Sequence, residues 1–383
     1  MTAPRNIVII GSAYPLRGGL AAYNERLARE YQHQGNQVVI YSFSLQYPSV
    51  FFPGKSQFTD EPAPADLTIR TRINSVNPAS WIRIGNEIRK LKPDLVIVKF
   101  WMPFFAPCLG TICWIIRKNK YTRIISIIDN MIPHERRPGD RMLASWFVQS
   151  VDGFITMSRS VLNELEEFDR VKPKKFTPHP LYDHFGDPIP KPDAIGKLGL
   201  DPGWNYILFF GFIRDYKGLD LLLMAFADPR LQDLRVKLLV AGEFYSDPDT
   251  YLNIIREQRL EDRVILSNDF IPDSAVRNYF CAADLVIQPY KNATQSGVTQ
   301  IAYHFNKPMI ITNVGGLAEF VPDGRTGYVV DPDPRRIADA IVRFYREDKE
   351  KEFVAHVAKE KRKYSWETMV KAIDSLVDYP PTP

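Results

Sequence analysis

Cysteine is scarce in this chain of 383 residues, which contains only Cys108, Cys113 and Cys281. The three show neither a CxxC spacing nor an even count, which argues against a disulfide framework or a zinc site. We therefore expect a reducing compartment and no bound metal.

A secretory signal is also missing, because the chain begins Met-Thr-Ala-Pro-Arg and passes directly into an apolar strand. A cytoplasmic location is the resulting expectation. Residues 100–116 carry no charge, but Pro103, Pro107 and Gly110 interrupt this stretch, which is at the lower limit for a membrane span. The pattern favours a strand end, a loop and a helix over a transmembrane helix.

Four basic residues follow that stretch: Arg117, Lys118, Lys120 and Arg123. Basic and aromatic residues together suit an anionic membrane interface, so peripheral contact with the inner face of a membrane is one interpretation. A solvated helix end is the other.

Strong net charge is absent too, since the formal charge is +4 and the pI is about 8.7. This mild excess is compatible with an anionic substrate but too weak to indicate nucleic acid. With 45% apolar and 25% charged residues, the chain is typical of a globular protein long enough for two domains.

Apolar runs alternate with helical segments along the chain, beginning with a strand at 6–10 and a helix at 20–34. A proline-rich stretch at 172–203 separates two such series. The sequence therefore predicts an α/β fold of two doubly wound Rossmann-like domains, which face each other across a cleft at the carboxyl ends of their strands.

Two glycine-containing turns near the C-terminal end are the strongest indication of function. Each is expected to leave a buried strand and open a helix, at Ser296-Gly297 and at Gly315-Gly316. Helix N-termini carry partial positive charge, and glycine allows a ligand close to backbone amides. Two neighbouring sites of this kind suit a diphosphate.

A further motif, Phe210-Gly-Phe-Ile-Arg214-Asp-Tyr-Lys217-Gly218, follows the first strand of the second series. Arg214 can make a forked contact with phosphate oxygens, and Lys217 can act as a mobile charge. In the first series, Gly18-Gly19 opens a helix after a strand, but no GxGxxG fingerprint is present.

A polar loop, Asp129-Asn130-Met-Ile-Pro-His134-Glu135, follows a predicted strand of the first domain. His134 could bind a hydroxyl group or accept a proton. Alternatively, Asp129 and Asn130 cap a turn, and His134 packs on its neighbouring proline. The arginines that follow could receive an anionic acceptor or form a solvated face.

In these motifs the chain resembles the GT-B glycosyltransferases, and among them glycosyltransferase family 4. The matching segments, in order, are Gly18-Gly19, Gly211 to Lys217-Gly218, Ala241-Gly242-Glu243, Lys307-Pro308 to Gly315-Gly316-Leu-Ala-Glu319, and Tyr364-Ser-Trp366-Glu. The expected organisation is an acceptor-side domain at 1–185, a linker at 186–203, a nucleotide-sugar domain at 204–362 and a last helix at 363–383 that returns to the first domain.

The resemblance implies a retaining, metal-independent glycosyltransferase without a cofactor, which uses a UDP- or GDP-sugar and a saccharide or lipid-linked acceptor and belongs to polysaccharide biosynthesis. Its catalytic candidates are His134, Asp129, Arg214 and Lys217. Its donor-binding candidates are Gly18, Gly19, Arg214, Lys217, Glu243, Asp269, Phe270, Ile271, Gln295, Ser296, Gly297, Val298, Gln300, Gly315, Gly316 and Glu319. Its acceptor-binding candidates are Asn130, Arg136 and Arg137.

The chain departs from the family pattern at two places. The usual pair of glutamates, eight positions apart, is replaced by Ala293 and Ile301, with Gln295 and Gln300 nearby as neutral groups that can bind hydroxyls. Phe212 stands where an arginine usually follows the strand glycine. Two alternatives to a transferase are a sugar-nucleotide epimerase, against which the loss of the glutamate pair counts, and a catalytically silent sugar-nucleotide-binding module.

Overall fold

The computed structural model describes residues 4–48, 57–59, 62–132, 137–293 and 296–377. By its internal contacts the chain divides into two compact units, Met1–His179 with Ser365–Pro383, and Pro180–Tyr364. Each unit is built on a parallel sheet, with helices between successive strands. This confirms the predicted α/β class.

The first unit contains a sheet of seven strands in the order β3-β2-β1-β4-β5-β6-β7. The strands are β1 Asn6–Ile10, β2 Gln37–Leu45, β3 Thr68–Asn74, β4 Leu95–Phe100, β5 Arg123–Ile128, β6 Gly153–Thr156 and β7 Lys174–Phe176. The helices are α1 Gly19–His33, α2 Pro78–Leu91, α3 Ala106–Arg117, α4 Asp140–Gln149 and α5 Arg159–Glu166. Every residue of β4 is buried, as expected for a parallel strand covered on both faces.

The last helix, Trp366–Val377, belongs to the first unit although it is far away in sequence. It packs against α1. Asp374 on this helix forms an ion pair with Arg5 (2.7 Å) and accepts a hydrogen bond from the Tyr31 hydroxyl (3.1 Å).

The charge-free stretch forms the end of β4, a 3-10 turn at Pro103–Phe105 and α3. Most of its apolar side chains, among them Phe105, Cys108 and Ile112, are buried in the core of the first unit. Over the described ranges, none of the helices has the length and apolar character needed to cross a bilayer.

The second unit contains a sheet of six strands in the order β10-β9-β8-β11-β12-β13. The strands are β8 Asn205–Phe210, β9 Val236–Ala241, β10 Val264–Ser267, β11 Leu285–Gln288, β12 Met309–Thr312 and β13 Gly327–Val330. The helices are α6 Lys191–Lys197, α7 Leu219–Phe226, α8 Pro248–Glu257, α9 Asp273–Ala282, α10 Gly297–His304, α11 Pro334–Arg346 and α12 Glu350–Glu360. We number the last helix of the chain α13.

The segment 186–203, expected to be a linker, is instead part of the second unit. It contains α6, which packs against α9, and Lys191 forms an ion pair with Asp284. Its prolines favoured a linker in the sequence analysis. In the structure Pro190 and Pro192 lie at the start of α6, where proline is well tolerated.

Each sheet changes its winding direction once, between β1 and β4 in the first unit and between β8 and β11 in the second. In sheets of this kind, ligands bind outside the carboxyl ends of the strands at such a point. A ligand-binding site is therefore expected among the residues that follow β8 and β11.

Candidate active site

Gly211 follows β8 and is in contact with two other parts of the chain. A methyl group added there would lie 3.0 Å from Lys217 Nζ and 3.8 Å from Val298 Cγ2. Its φ of +97° also favours glycine. The ammonium group of Lys217 and the first turn of α10 therefore meet at this glycine.

The loop that carries Lys217 packs directly on the loop after β11. Gly218 has a φ of +69°, and a methyl group there would lie 1.9 Å from the carbonyl oxygen of Pro289. The backbone N–H of Lys291 donates to the carbonyl oxygen of Tyr216 at 2.7 Å. These contacts hold the two loops together at the point where the sheet changes direction.

The ammonium group of Lys217 lies in an environment that disfavours its positive charge. Desolvation, and to a smaller extent the positive charge of Arg214, lower the pKa of Lys217 to about 8. Over the described residues, Lys217 has no carboxylate partner; its Nζ lies 5.6 Å from the ring centroid of Tyr290. Lys217 is half-buried. A desolvated charge without a partner is costly, and a bound anion would compensate it.

Two other cations share this edge of the second sheet. The guanidinium of Arg214 lies 5.1 Å from the Tyr245 ring centroid and has no ion-pair partner in the described ranges. Lys291, in contrast, is neutralised by Asp215 (2.7 Å) and Asp220 (2.9 Å). Lys217 and Arg214 are therefore the cations still available to an anionic ligand.

Helix α10 begins beside Lys217. Ser296 precedes it without capping it through its side chain, and its hydroxyl lies 3.1 Å from that of Tyr290. Gly297 is required by close packing, because a methyl group there would lie 2.7 Å from Cε2 of Tyr182. The helix dipole adds positive potential at this end.

The second expected helix start differs from the prediction. Gly315-Gly316 leads into a 3-10 turn of four residues, Leu317–Phe320, and not into an α-helix. The N–H of Gly316 donates to the carbonyl oxygen of Ala293 at 3.2 Å. This amide fixes the loop after β11, so the two turns do not form a pair of equivalent anion sites.

Aromatic side chains line the ends of β8, β9 and β10. The ring of Phe212 lies 4.5 Å from that of Tyr245 and 6.5 Å from that of Phe270, between centroids. Glu243, also in this region, is buried, and its carbonyl oxygen accepts the N–H of Ile213 at 2.8 Å. Asp269 is exposed and Ile271 half-buried at the end of β10.

Two family models match the chain, one in each unit. "Glycosyltransferase Family 4" matches residues 17–180, and "Glycosyl transferases group 1" matches residues 205–347. The chain belongs to the family 4, group 1 glycosyltransferases. It is an enzyme of the glycosyltransferase class, as predicted.

This transferase is 25% identical to a D-inositol 3-phosphate glycosyltransferase of Corynebacterium urealyticum, over 76% of this chain and 73% of the relative. Its fold matches sucrose-phosphate synthase of Thermosynechococcus elongatus (TM-score 0.73, 17% identity, 97% and 98% of the two chains). It also matches Alr3699/HepE of Anabaena in complex with UDP (TM-score 0.73, 15% identity, 97% and 98%). The predicted GT-B fold is confirmed.

In the first unit of the transferase, the structure reveals a group that the sequence analysis missed. Lys99, near the end of β4, is buried and forms an ion pair with Asp129 at 2.9 Å. Its Nζ lies 3.5 Å from the ring centroid of Tyr23. Asp129, proposed above as catalytic, thus has a buried counter-charge.

Gly18 (φ +100°) and Gly19 form the start of α1, as expected for this loop.

The remaining candidates have the following surroundings. Gln300, on α10, is buried (1% exposed), and its Oε1 has no hydrogen-bond partner among the described residues. Glu319 is exposed on the 3-10 turn. In the first unit, Asn130 is half-buried, and Arg137 is exposed with its N–H bonded to the Asp140 carboxylate (2.8 Å).

His134, Arg136 and Gln295 lie outside the described residues. In the part of the chain that is described, His, Cys, Asp and Glu side chains nowhere form a group of three or more that could hold a metal ion.

Proposed function

We propose that the transferase moves a sugar from a nucleotide-sugar, of the UDP or GDP type, to a saccharide or lipid-linked saccharide, with retention of anomeric configuration. The observation that carries this proposal is the desolvated ammonium of Lys217, which lies against Gly211 and the first turn of α10 without a carboxylate partner in the described chain. The likeness to Alr3699/HepE in complex with UDP supports a uridine nucleotide as the first donor to test.

The diphosphate of the donor would compensate the charges of Lys217 and Arg214. As the bond from the anomeric carbon to the phosphate oxygen breaks, its electron pair stays on the leaving nucleoside diphosphate. The acceptor hydroxyl oxygen bonds to the same face of that carbon, and its proton passes to the departing phosphate oxygen. Fixed positive charge near the leaving oxygens stabilises this transition state. Two cations and a helix start supply it, so we expect activity in the presence of EDTA.

A donor screen tests the proposal directly. UDP-, GDP- and ADP-sugars are incubated with the protein, with and without saccharide acceptors, and nucleoside diphosphate release is measured in EDTA. The anomeric configuration of the product is determined by NMR. Tight nucleotide binding without turnover would leave only a binding module, and a product with inverted configuration would refute the retaining mechanism.

The Lys217→Ala variant links the activity to the site. We expect kcat/KM to fall at least about tenfold, because the leaving diphosphate loses a compensating charge. Lys351→Ala, which removes an exposed lysine of the same unit, is the matched control and should leave kcat/KM unchanged. An unchanged rate in Lys217→Ala would remove the phosphate-site assignment.

A further inference from the structure

A cluster of exposed lysines lies where α2 and α3 end. The two helices pack together, and the Asn119 side-chain amide donates to the carbonyl oxygen of Arg89 at 3.4 Å. The Thr122 hydroxyl donates to the carbonyl oxygen of Pro93 at 2.7 Å. These bonds join the turn after α2 to the turn after α3. We call Lys90, Lys92, Lys118 and Lys120, on these two ends, the basic patch; all four are exposed.

The charge of the basic patch is not neutralised. In the described part of the chain, none of its four lysines forms an ion pair. Asp94 is the only acidic residue between 89 and 123, and it accepts hydrogen bonds from the backbone N–H of Asn6 (2.7 Å) and from the Tyr121 hydroxyl. Asp152, which follows α4, pairs with Arg117 at 3.5 Å.

Large apolar side chains are exposed on the same helix ends. Leu91 is 49% exposed, Trp114 38% and Tyr121 56%. The guanidinium carbon of Arg117 lies 5.3 Å from the Trp114 ring centroid. Lysines at helix C-termini are favoured by the helix dipole alone, but that effect gives no reason for an exposed leucine, tryptophan and tyrosine beside them.

We propose that the basic patch docks on an anionic lipid bilayer. Lysines attract acidic headgroups, while tryptophan and tyrosine are suited to the headgroup level of a membrane interface. The proposal does not rest on the proposed donor or acceptor, because it uses none of their residues.

The basic patch lies at the amino-terminal edge of the first sheet, since α2 and α3 lead into β4 and β5. Asp129 and Gly18 lie at the opposite, carboxyl edge, and a strand of six residues spans about 20 Å. Docking would therefore leave the carboxyl edge facing away from the bilayer. We expect changes in the basic patch to alter membrane binding without altering turnover of water-soluble substrates.

Vesicle co-sedimentation tests the proposal. The protein is mixed with vesicles of phosphatidylcholine alone, or with vesicles that also contain roughly 30% phosphatidylserine as the anionic lipid. Lys90→Gln/Lys92→Gln/Lys118→Gln/Lys120→Gln, which only neutralises the charges, should lower the partition onto anionic vesicles by roughly six hundredfold, because each of the four lysines near the surface contributes about fivefold. The corresponding Lys→Glu variant, which adds repulsion, should lower it further.

The matched control reverses four exposed basic residues of the second unit, as Lys197→Glu/Arg259→Glu/Lys351→Glu/Lys359→Glu. It changes the net charge equally but leaves the basic patch intact, so it should alter the partition by less than about threefold. Binding by the unchanged protein that is confined to anionic vesicles and weakens with added salt would support the proposal.

Three results would overturn it: no binding of the unchanged protein to anionic vesicles, equal losses in the patch and control variants, or tighter binding of the patch to a short RNA than to vesicles. Nucleotide binding by each variant, measured in parallel, shows that the protein is folded. A variant that fails this check is replaced by its Lys→Gln counterpart, which removes the charge without adding repulsion.

Discussion

Lys99 in the first unit and Lys217 in the second occupy comparable places. Each lies near the carboxyl edge of a parallel sheet, where the strand order reverses, and each is next to a glycine that follows the first strand of that sheet. A methyl group at Gly11 would lie 3.2 Å from Lys99 Cβ, and one at Gly211 would lie 3.0 Å from Lys217 Nζ. The two lysines differ in what surrounds their charge.

Lys99 forms an ion pair with Asp129 at 2.9 Å, and its ammonium group also lies over the ring of Tyr23. Desolvation lowers the pKa of Lys99, and Asp129 opposes that effect. Lys217 has the positively charged Arg214 as its neighbour, so both influences lower its pKa. The comparison distinguishes two desolvated lysines: the charge of buried Lys99 is compensated within the fold, and the charge of half-buried Lys217 requires an anion from outside.

Removing Lys99 should have the largest effect. Lys99→Ala leaves Asp129 buried without its partner, and breaking a buried pair in this way costs about 3–5 kcal/mol in the free energy of unfolding. Urea unfolding followed by tryptophan fluorescence measures it well, because every tryptophan except Trp204 lies in the first unit.

Two controls sharpen this result. The double variant Lys99→Met/Asp129→Leu removes both charges and should recover most of the loss. Lys217→Met removes an uncompensated charge and should leave stability unchanged or raise it. A cost below about 1 kcal/mol for Lys99→Ala, or an equal cost for Lys217→Met, would mean that compensation does not distinguish the two sites.

Gly218 and Gly324 form a second matched pair, because both have a φ of +69°. At Gly218 an added methyl group would lie 1.9 Å from the Pro289 carbonyl oxygen, whereas at Gly324 it would have no neighbour within 4 Å. Gly324→Ala should therefore cost only the backbone strain, about 1–2 kcal/mol.

Gly218→Ala must also separate the loops that hold Lys217. We expect it to weaken nucleoside diphosphate binding by about tenfold or more, which isothermal titration calorimetry measures. Unchanged binding in Gly218→Ala would show that packing of these two loops does not position Lys217.

The sequence predicts the two-sheet fold well, because strands such as β4 and β5 are continuous apolar runs. It did not predict β3, an edge strand whose sequence Thr-Ile-Arg-Thr-Arg-Ile-Asn buries only Ile73 fully. Edge strands bury little apolar surface, so they lack the pattern that identifies central strands.

The candidate site was only partly predictable, because ion pairing depends on tertiary contacts. Arg214 and Lys217 are in a recognisable motif. The sequence does not show that Lys291 is neutralised, because the fold brings Asp215 and Asp220 to it. Lys99 is the one charged residue inside the apolar run of β4. That isolated charge is a signal of a buried partner, but the partner, Asp129, is 30 positions away along the chain, and only the pairing of β4 with β5 brings it near.

The lowered pKa of Lys217 predicts a pH dependence of donor binding. Below about pH 7 this lysine is protonated, and the affinity for the donor should be constant. As the pH rises through about 8, the lysine of the free protein loses its proton. The affinity for the donor should then fall by up to about tenfold per pH unit. Titration of a UDP-sugar between about pH 6.5 and 9 measures the dissociation constant.

Lys217→Arg is the matched variant for this profile, because a guanidinium keeps its charge throughout the range. Its dissociation constant should be higher than that of the unchanged protein below pH 7 but independent of pH. A fall in affinity above pH 8 that persists in Lys217→Arg would assign the pH dependence to another group.

The smallest effect is expected at Lys291, the paired cation at the same edge. Lys291→Ala removes a charge that Asp215 and Asp220 already neutralise, and partly exposed pairs of this kind contribute about 0–1 kcal/mol. The dissociation constant for the UDP-sugar should therefore change by less than about fivefold. The titration that detects the loss in Lys217→Ala also measures this change. A loss as large as that of Lys217→Ala would mean that Lys291 exchanges its carboxylates for the donor phosphates. In that event the cations that bind the donor would be identified by their position at the carboxyl edge of the second sheet, and not by the absence of a carboxylate partner.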